Sequence, residues 1–387
     1  MPFFPNPQVP DLWHYLQIEA VKGRPILLYG MGNGADKIIT VCERYGIPVS
    51  DCFASDGFVR GHSFHGRRVL SFSEAKEIYG KNMIILLSFA SSRPEVLSLI
   101  SSVAEQCELY APDVPVCGDT LFNSEFYKAH KPEFDTVRTL FADDESRAVY
   151  DGILAYKLSG RIDLLRATET APEAVFASLL SPKDYRVTAD LGAYTGDSIK
   201  ELKTYAQNLS TVIAFEPDTR NFRKLTAYAE GLREVGDPCT VHPVNAGAWQ
   251  EDGTLLFHGS GNRNATLCGT ATAAAQTNFT VTDAYFGKSV EVKVASLDRV
   301  AAELLGDTPI DYVKYDVEGA EKEALLGSKE LILRYAPTLL VSCYHRSEDI
   351  FALPLLVHDL QPRYKLYLRR MAGIPAWDIN LYAIPNT

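Results

Sequence analysis

One strand-turn-helix-strand stretch in the second half of the chain constrains the fold more than any other. Val187 to Leu191 is an apolar run that suits a buried strand, and Gly192 and Gly196 bracket the turn that follows it. Ser198 to Ala206 has the spacing of a helix, and a second apolar strand then ends at Glu216. Because glycine permits both a tight turn and a close approach of backbone to a ligand, this pattern predicts a parallel α/β sheet with a binding crevice at the turn.

The spacing of these glycines indicates what the crevice would bind. Gly-x-x-x-Gly differs from the Gly-x-Gly-x-x-Gly pattern that brings a helix N-terminus onto a pyrophosphate, so it favours a ligand without a diphosphate. Glu216 stands where an acid would accept hydrogen bonds from two ribose hydroxyls, and the small residues of Asn245 to Trp249 would let an adenine ring lie against backbone. The simpler alternative is an ordinary strand-to-helix turn, a solvated charge and a packed strand end. Turn, strand and acid together favour an adenosine-type cofactor, S-adenosylmethionine.

Length, composition and charge limit the class of protein. A chain of 387 residues is too long for one ordinary core, and 46% hydrophobic with 22% charged residues indicates a globular protein of two or three domains. A net charge of -11 without a basic stripe argues against nucleic acid as a partner. No apolar run reaches the roughly 18 residues that span a bilayer, and the start lacks a signal-peptide pattern, so we expect a cytoplasmic protein. Seven scattered cysteines indicate reduced thiols.

Three parts of the chain differ in pattern, and we expect three structural units. Residues 1–118 read as a small Rossmann-like α/β unit of nucleotide-binding type, in which a loop over 57–69 precedes a helix capped by Ser73. Residues 119–181 have helical spacing and form a connector, whose longest helix has an apolar face at Val149, Ile153, Leu154 and Leu158. Residues 182–387 alternate strands and helices again.

The third unit is expected to hold one mainly parallel sheet. Its helices include 221–230 and 318–333, and its apolar strands lie at 187–191, 212–215, 240–244, 254–258, 290–294, 310–315, 338–344, 364–368 and 379–384. The last two strands are joined through Gly373-Ile-Pro375, a connection too short for a crossover helix, so they should pair as an antiparallel hairpin. The fold class is therefore α/β, with a Rossmann-like sheet of the methyltransferase type that carries an antiparallel strand near its end.

Chemistry in such a sheet is expected beyond the carboxyl ends of the strands. Asp316 and Glu318 follow one apolar strand, and His345 follows another. Asp316 or His345 could orient or deprotonate an alcohol that accepts a methyl group by in-line displacement. The simpler alternatives are a helix cap for Asp316 and a structural role for His345, and Glu318 and Glu321 could equally complement a helix dipole. We predict Asp316, Glu318 and His345 as the catalytic group.

The order of these motifs resembles the FkbM family of S-adenosylmethionine-dependent methyltransferases. The resemblance covers residues 182 to 387, and Asp-Val-Glu-Gly-Ala-Glu at 316–321 is its most specific part. The other matching segments are Asp190-Leu-Gly-Ala-Tyr-Thr-Gly-Asp, Phe215-Glu-Pro-Asp, Asn245-Ala-Gly-Ala, Ser296-Leu-Asp and His345. Membership implies O-methylation, typically of sugar hydroxyls in glycans or of hydroxyls in natural products.

The resemblance also implies which residues meet the cofactor and the acceptor. S-adenosylmethionine would be bound by Asp190, Gly192, Ala193, Tyr194, Gly196, Asp197, Ser198, Glu216, Asn245 and Ala246. Asp316 and Glu318 would line the reaction site, and the acceptor would be a small molecule, a glycan or a nucleotide-sugar. Tyr194 stands where the family often has Asn. The polar segment 259–266 is similar to a loop of the family, and we predict that it grips the substrate.

The first unit resembles Rossmann-like nucleotide-binding domains at the start of some enzymes that modify sugars for surface polysaccharides. Gly30-x-Gly32-x-x-Ala35 fits the dinucleotide fingerprint with alanine at the third place. A nucleotide or nucleotide-sugar would then contact Gly30, Gly32, Asn33, Gly34 and Asp56. The alternative is a docking domain that binds no nucleotide.

Two further functions stay open on the sequence alone. The first unit could make the chain an NAD-dependent oxidoreductase, although no Tyr-x-x-x-Lys pair stands near it. The chain could instead be a non-catalytic assembly protein of polysaccharide biosynthesis that binds a nucleotide-sugar. Asp316, Glu318 and His345 could ligate a metal, but their spacing does not demand one and we predict none. Neither the acceptor, the position methylated nor the oligomeric state follows from the sequence.

Overall fold

The computed structural model of the protein describes residues 8–59, 61, 63–258, 266–268 and 289–386. Two large β-sheets with covering helices are separated in sequence by a run of helices. No helix within these ranges is long and apolar enough to cross a bilayer. The predicted substrate-gripping segment 259–266 lies outside the described residues, except for Thr266.

A parallel five-stranded sheet forms the first α/β unit. Its elements are α1 (Leu12–Val21), β1 (Ile26–Tyr29), α2 (Asn33–Arg44), β2 (Asp51–Ala54), β3 (Ser63–Phe64), β4 (Arg67–Arg68), β5 (Leu70–Ser71), α3 (Phe72–Tyr79), β6 (Ile84–Leu87), α4 (Pro94–Ala104) and β7 (Glu108–Tyr110). The strand order is β5-β2-β1-β6-β7. This is the doubly wound arrangement that the alternation of strand and helix predicted.

Three details of the first unit differ from the sequence prediction. Helix α3 begins at Phe72 because the Ser71 hydroxyl accepts a hydrogen bond from the Glu74 N–H (3.1 Å) while the Glu74 carboxylate accepts one from the Ser71 N–H (2.8 Å). The cap prediction at Ser73 was therefore wrong. The predicted loop over 57–69 contains the short hairpin β3–β4. Strand β7 was not predicted because three residues are too few to show a periodicity.

The connector is helical, as predicted. It contains α5 (Ser124–Ala129), α6 (Lys131–Leu140), α7 (Asp144–Ser159), α8 (Ile162–Arg166), α9 (Pro172–Ser178) and a 3-10 turn at Pro182–Asp184. All four residues of the apolar face predicted for α7, Val149, Ile153, Leu154 and Leu158, are buried. The limits of the three units at residues 118 and 181 stay a prediction.

The second large sheet has seven strands. Its strands and associated helices are β8 (Val187–Leu191), α10 (Asp197–Tyr205), β9 (Thr211–Phe215), α11 (Thr219–Glu234), β10 (Thr240–Val244), β15 (Tyr312–Tyr315), α13 (Glu321–Leu326), α14 (Lys329–Tyr335), β16 (Thr338–Ser342), α15 (Asp349–Leu360), β17 (Tyr364–Arg370) and β18 (Ile379–Pro385). The order is β10-β9-β8-β15-β16-β18-β17, and only β18 runs antiparallel to its neighbours. The predicted antiparallel hairpin on a parallel sheet is therefore confirmed.

The two strands predicted at 254–258 and 290–294 form a separate sheet. Between β10 and β15 the chain forms β11 (Gly247–Ala248), β12 (Gly253–His258), β13 (Thr266–Cys268), β14 (Ser289–Ala295) and α12 (Leu297–Leu305). The order of this small sheet is β11-β14-β12-β13. Its β12–β14 and β12–β13 pairs are antiparallel, so it could not be recognised from apolar runs alone.

The small sheet also breaks the long helix predicted over 318–333. A Cβ at Gly327 would lie 2.0 Å from the Trp249 carbonyl oxygen, so the chain between α13 and α14 passes directly against this sheet. The Asp298 carboxylate then accepts hydrogen bonds from the Glu330 and Leu331 N–H groups (3.0 and 2.9 Å) and starts α14. The helix prediction was wrong here because the cap comes from a residue distant in sequence.

Hydrogen bonds join the first α/β unit to the second. Ser91, beyond β6, pairs with Ile374 in the β17–β18 connection through two backbone bonds of 2.9 and 3.0 Å. The Cys117 N–H donates to the His345 carbonyl (2.8 Å), and the Ser347 hydroxyl donates to the Thr120 carbonyl (2.6 Å). The carboxyl ends of strands from both sheets therefore meet at one cleft.

Candidate active site

A cavity of about 610 Å³ lies in this cleft, in the size range of small-molecule sites. The second unit contributes Gly192, Tyr194, Asp197, Ser198, Glu201, Phe215, Glu216, Pro217, Asn221, Gly247, Ala248, Lys314, Asp316, Val317, Glu318, Tyr344, Gly373, Ile374, Pro375, Trp377 and Asp378. The first unit contributes Ala90, Ser91, Ser92 and Val116. The cavity therefore joins the predicted cofactor turn to the predicted reaction residues, which come from separate strands.

The glycine turn after β8 is as tight as its sequence predicted. Gly192 has φ +89°, and a Cβ there would lie 1.9 Å from the Asp316 carbonyl oxygen. Its N–H and that of Ala193 both donate to the Phe215 carbonyl (3.1 and 2.9 Å), which fixes the turn on β9. Gly196 has φ +86° and packs against the Tyr228 ring. Of the predicted turn residues, Gly192, Tyr194, Asp197 and Ser198 line the cavity, while Ala193 is buried beneath it.

The acid at the end of β9 lies at the cavity wall. Glu216 is 6% exposed, and its Oε1 accepts a hydrogen bond from the Asp218 N–H (2.8 Å). Burial raises the pKa of Glu216 to about 7 against the opposing effect of that hydrogen bond. Just after β10, the Asn245 amide donates to the Glu216 carbonyl (3.0 Å) and Ala246 is buried. Neither of these two lines the cavity; the two residues that follow them, Gly247 and Ala248, do.

A buried lysine links the cofactor turn to the reaction residues. Lys314 Nζ lies 3.6 Å from Asp190 Oδ1 and 3.2 Å from Asp316 Oδ2. Asp190 also accepts a hydrogen bond from the Ser198 hydroxyl, and burial raises its pKa. For Asp316, burial opposes ionisation, but Lys314 and His345 outweigh it and lower the pKa of Asp316 to about 2. Asp316 is therefore ionised at neutral pH.

The predicted catalytic group comes together around His345. Its Nε2 lies 3.4 Å from Glu318 Oε2 and 3.7 Å from Asp316 Oδ1, while its Nδ1 lies 2.9 Å from Glu321 Oε1. The imidazole is fully buried and does not line the cavity, so it reaches that space only through Asp316 and Glu318. Burial disfavours its charged form, but Glu321 and then Glu318 and Asp316 raise the pKa of His345 well above its usual value. His345 is thus a cation and a poor base.

Glu318 is the carboxylate of this group that faces the cavity. Its side chain is 28% exposed, and its backbone has φ +54°, which is uncommon for a residue with a Cβ. The Cys117 thiol donates to the Glu318 carbonyl (3.1 Å) and helps to hold this conformation. Burial raises the pKa of Glu318 to about 7, and His345 partly offsets that rise. A carboxylate with a pKa near neutrality can remove a proton at physiological pH.

Asp316, Glu321 and His345 could ligate a metal only if His345 lost its proton. Ligand atoms of Asp316, Glu321 and His345 all lie within 4.8 Å of one another. Histidine must be neutral to bind a metal, however, and the three carboxylates stabilise its protonated form.

The predicted nucleotide motif of the first unit lies outside this cavity. A Cβ at Gly34 would lie 2.2 Å from the Ser88 carbonyl oxygen, and one at Gly30 would lie 2.6 Å from the Phe89 ring, so both glycines allow α2 to pack on the end of β6. Gly32 and Asn33 stand at the start of α2. Asp56 accepts hydrogen bonds from the Ser73 N–H and hydroxyl (3.1 and 2.6 Å) at the start of α3. Nucleotide binding here stays a prediction.

Several cavity residues were not predicted as functional. Lys314 stands two residues before Asp316, and this alternation along one strand could have placed both side chains on the same face of the sheet. Tyr344 precedes His345 and donates a hydrogen bond to Asp316 (3.2 Å). Ser91 carried no signal because only the docking of the two units brings it to the cavity, and Trp377 stands outside any motif in the β17–β18 connection.

Comparison with known proteins agrees with this architecture. Residues 190–365 match the model of the methyltransferase FkbM domain. The methyltransferase FkbM of Methylobacillus flagellatus KT is 18% identical, with a TM-score of 0.72 over 99% of this chain and 95% of that one. An rRNA methylase from Streptococcus thermophilus is 12% identical, with a TM-score of 0.32 over 55% of this chain and 92% of that one. No curated protein matches the chain. The whole fold, including the first α/β unit, is thus shared with the Methylobacillus protein.

Proposed function

We propose that the chain, whose residues 190–365 match the model of the methyltransferase FkbM domain, is an S-adenosylmethionine-dependent methyltransferase that methylates a hydroxyl of a saccharide-type acceptor in the cavity between its two α/β units. The observation that carries this proposal is the position of Glu318. Its half-buried carboxylate, with a pKa raised to about 7, faces the same cavity as the glycine turn and Glu216.

The residues around the glycine turn fit the cofactor. A side chain at Gly192 would collide with the Asp316 carbonyl, so glycine lets the turn pack against the end of β15, and Gly192 itself lines the cavity. Gly192, Tyr194 and Ser198 would hold the amino-acid part, Glu216 the ribose hydroxyls, and Gly247 with Ala248 the adenine. When bound, S-adenosylmethionine supplies a methyl group on a positively charged sulfur, and the acidic lining of the cavity suits that charge.

The acceptor hydroxyl would lie against Glu318. Glu318 accepts the proton of the hydroxyl as the oxygen becomes nucleophilic, while His345 behind it stabilises the ionised carboxylate. Asp316, held by Lys314 and by the Tyr344 hydroxyl, stays ionised and orients the acceptor through a hydrogen bond. His345 acts here as a positioning residue, because its ring does not reach the cavity.

Calorimetric titration with S-adenosylhomocysteine tests the cofactor part. We expect micromolar binding to the full chain, and Glu216→Ala should weaken it about 10- to 100-fold, the effect of one or two charge-assisted hydrogen bonds. Glu234→Ala, at the exposed end of α11, is the matched control and should bind as the unmodified chain does. No heat with either S-adenosylhomocysteine or S-adenosylmethionine would overturn the proposal.

A further inference from the structure

We propose that the acceptor is bound jointly by the two α/β units and that the site selects an uncharged, hydroxyl-rich molecule, excluding phosphorylated and nucleotide-linked acceptors. This inference rests on the proposed function, since it concerns the acceptor side of the same cavity. Three observations carry it: the wall supplied by the first unit, the attachment of that wall to the reaction residues, and the charge of the cavity.

The first unit forms the side of the cavity that faces Glu318 and Trp377. Ser92, just beyond β6, has an exposed side chain, and Val116 precedes the end of the first unit. The two backbone hydrogen bonds between Ser91 and Ile374 close this side against the β17–β18 connection. An acceptor bound against Glu318 therefore shares its cavity with Ser92.

This wall is fixed relative to the reaction residues. Cys117, next to Val116, donates its thiol to the Glu318 carbonyl (3.1 Å) and its N–H to the His345 carbonyl (2.8 Å). Arg346 also donates to the Gly319 carbonyl (2.9 Å), which holds the same turn from the other side. The spacing between the first-unit wall and the base is thus set by direct hydrogen bonds, as expected for a surface that determines which acceptor fits.

The charge of the cavity indicates the chemical class of the acceptor. Its lining contains six acidic residues, Asp197, Glu201, Glu216, Asp316, Glu318 and Asp378, and among the described lining residues Lys314 alone is basic. Lys314 is already paired with Asp316 and Asp190 at 3.2 and 3.6 Å. A diphosphate placed here would meet uncompensated like charge in a partly desolvated space, which is strongly unfavourable.

Neutral polyols suit the remaining surface. Trp377 at the rim is 36% exposed and offers an aromatic face to the apolar C–H surface of a sugar ring. The Ser92 hydroxyl and the carboxylates of Asp378 and Glu318 are hydrogen-bond partners for sugar hydroxyls. An aromatic platform with a few polar groups aimed at one point is the usual composition of a small-molecule site.

Indole NMR of the full chain tests the inference, because the protein has only three tryptophans. With ¹⁵N-tryptophan labelling, Trp377→Phe identifies the Trp377 signal, and Trp13, which is buried in the first unit, serves as the internal reference. Methyl α-D-glucopyranoside, methyl α-D-mannopyranoside and methyl α-L-rhamnopyranoside are titrated with and without S-adenosylhomocysteine, beside glucose 1-phosphate and UDP-glucose. We expect at least one neutral glycoside to shift the Trp377 signal saturably, with no saturable shift from either phosphorylated probe.

Two results would overturn the inference and leave the proposed function intact. One is saturable binding of UDP-glucose or glucose 1-phosphate at Trp377; the other is no response to any glycoside although S-adenosylhomocysteine binds. Absence of S-adenosylhomocysteine binding overturns both. Ser92→Phe tests the joint wall: it should weaken glycoside binding at least tenfold and keep the affinity for S-adenosylhomocysteine, whereas Ser102→Phe, on the exposed face of α4, should change neither. Unchanged glycoside affinity in Ser92→Phe refutes the first unit's part.

Discussion

Replacing Gly192 by alanine should damage both the stability of the second sheet and the cofactor site. The new Cβ would lie 1.9 Å from the Asp316 carbonyl oxygen, and the residue would keep φ +89°, a conformation unfavourable for any side chain. The backbone strain costs about 1–2 kcal/mol, and forcing β8 and β15 apart at their ends adds about 1–3 kcal/mol. We therefore expect a total loss of about 2–5 kcal/mol.

Gly236→Ala is the matched control, because it separates strain from collision. Gly236 has φ +70° in the same unit, but a Cβ there meets nothing within 4 Å. Urea unfolding followed by tryptophan fluorescence should show a loss of only about 1–2 kcal/mol for this variant. Calorimetric titration should show unchanged S-adenosylhomocysteine binding for Gly236→Ala and a loss of at least tenfold for Gly192→Ala. If the two variants were equally stable and bound equally well, the close approach of the turn to β15 would not be what requires glycine.

Four further predictions concern the charged cluster. Lys314→Met should destabilise the protein by about 3–5 kcal/mol by leaving the buried Asp190 and the partly buried Asp316 without their cation, while Lys365→Met on the exposed side of β17 should have little effect in the same urea experiment. Because the folded-state pKa of Asp316 is lowered to about 2 from the ordinary value of 3.8, its contribution to stability is complete above pH 4 and is lost as pH falls through 2, which acid unfolding can measure. Methyl transfer should rise tenfold per pH unit below pH 7 and level off above it, following Glu318, and Glu318→Gln should abolish that dependence; a profile that persists in Glu318→Gln assigns the base elsewhere. Glu321→Gln should lower the pKa of His345, so ¹⁵N NMR should show that the ring loses its proton at a lower pH in the variant than in the unmodified chain.

Local patterns predicted most of the fold. Apolar runs located the strands of the main sheet, and the short connection at Gly373 implied the antiparallel β18, because these features depend on residues close in sequence. The two wrong helix boundaries have a different cause. The start of α3 and the break after α13 depend on which of several polar side chains reaches a free N–H group, and Asp298 does so from a remote segment.

The candidate site was predictable to the same extent. Gly192, Glu216, Asp316 and Glu318 lie at strand ends, and the rule that ligands bind there brings them to one cavity. The burial of His345 was not predictable, because it results from α13 supplying Glu321 to its far side. The contribution of Ser91 depends on the docking of two units whose sequences carry no mark of their contact, and Trp377 stands outside any motif in the β17–β18 connection.

The attachment of the second sheet to the preceding residues has a consequence for dissecting this protein. Arg370 at the end of β17 is fully buried, and its guanidinium donates to the Leu165 carbonyl (2.6 Å) and the Thr168 hydroxyl (3.0 Å) of the connector. Arg369 beside it pairs with Asp143 (2.6 Å). A fragment that starts at residue 182 would keep every strand of the methyltransferase sheet. It would nevertheless expose to water the guanidinium groups of the two arginines and the carbonyl groups of Glu318 and His345 that accept hydrogen bonds from Cys117. Expression of residues 182–387 alone should therefore yield a poorly folded product, because the segments before them act as an intramolecular subunit of the enzyme.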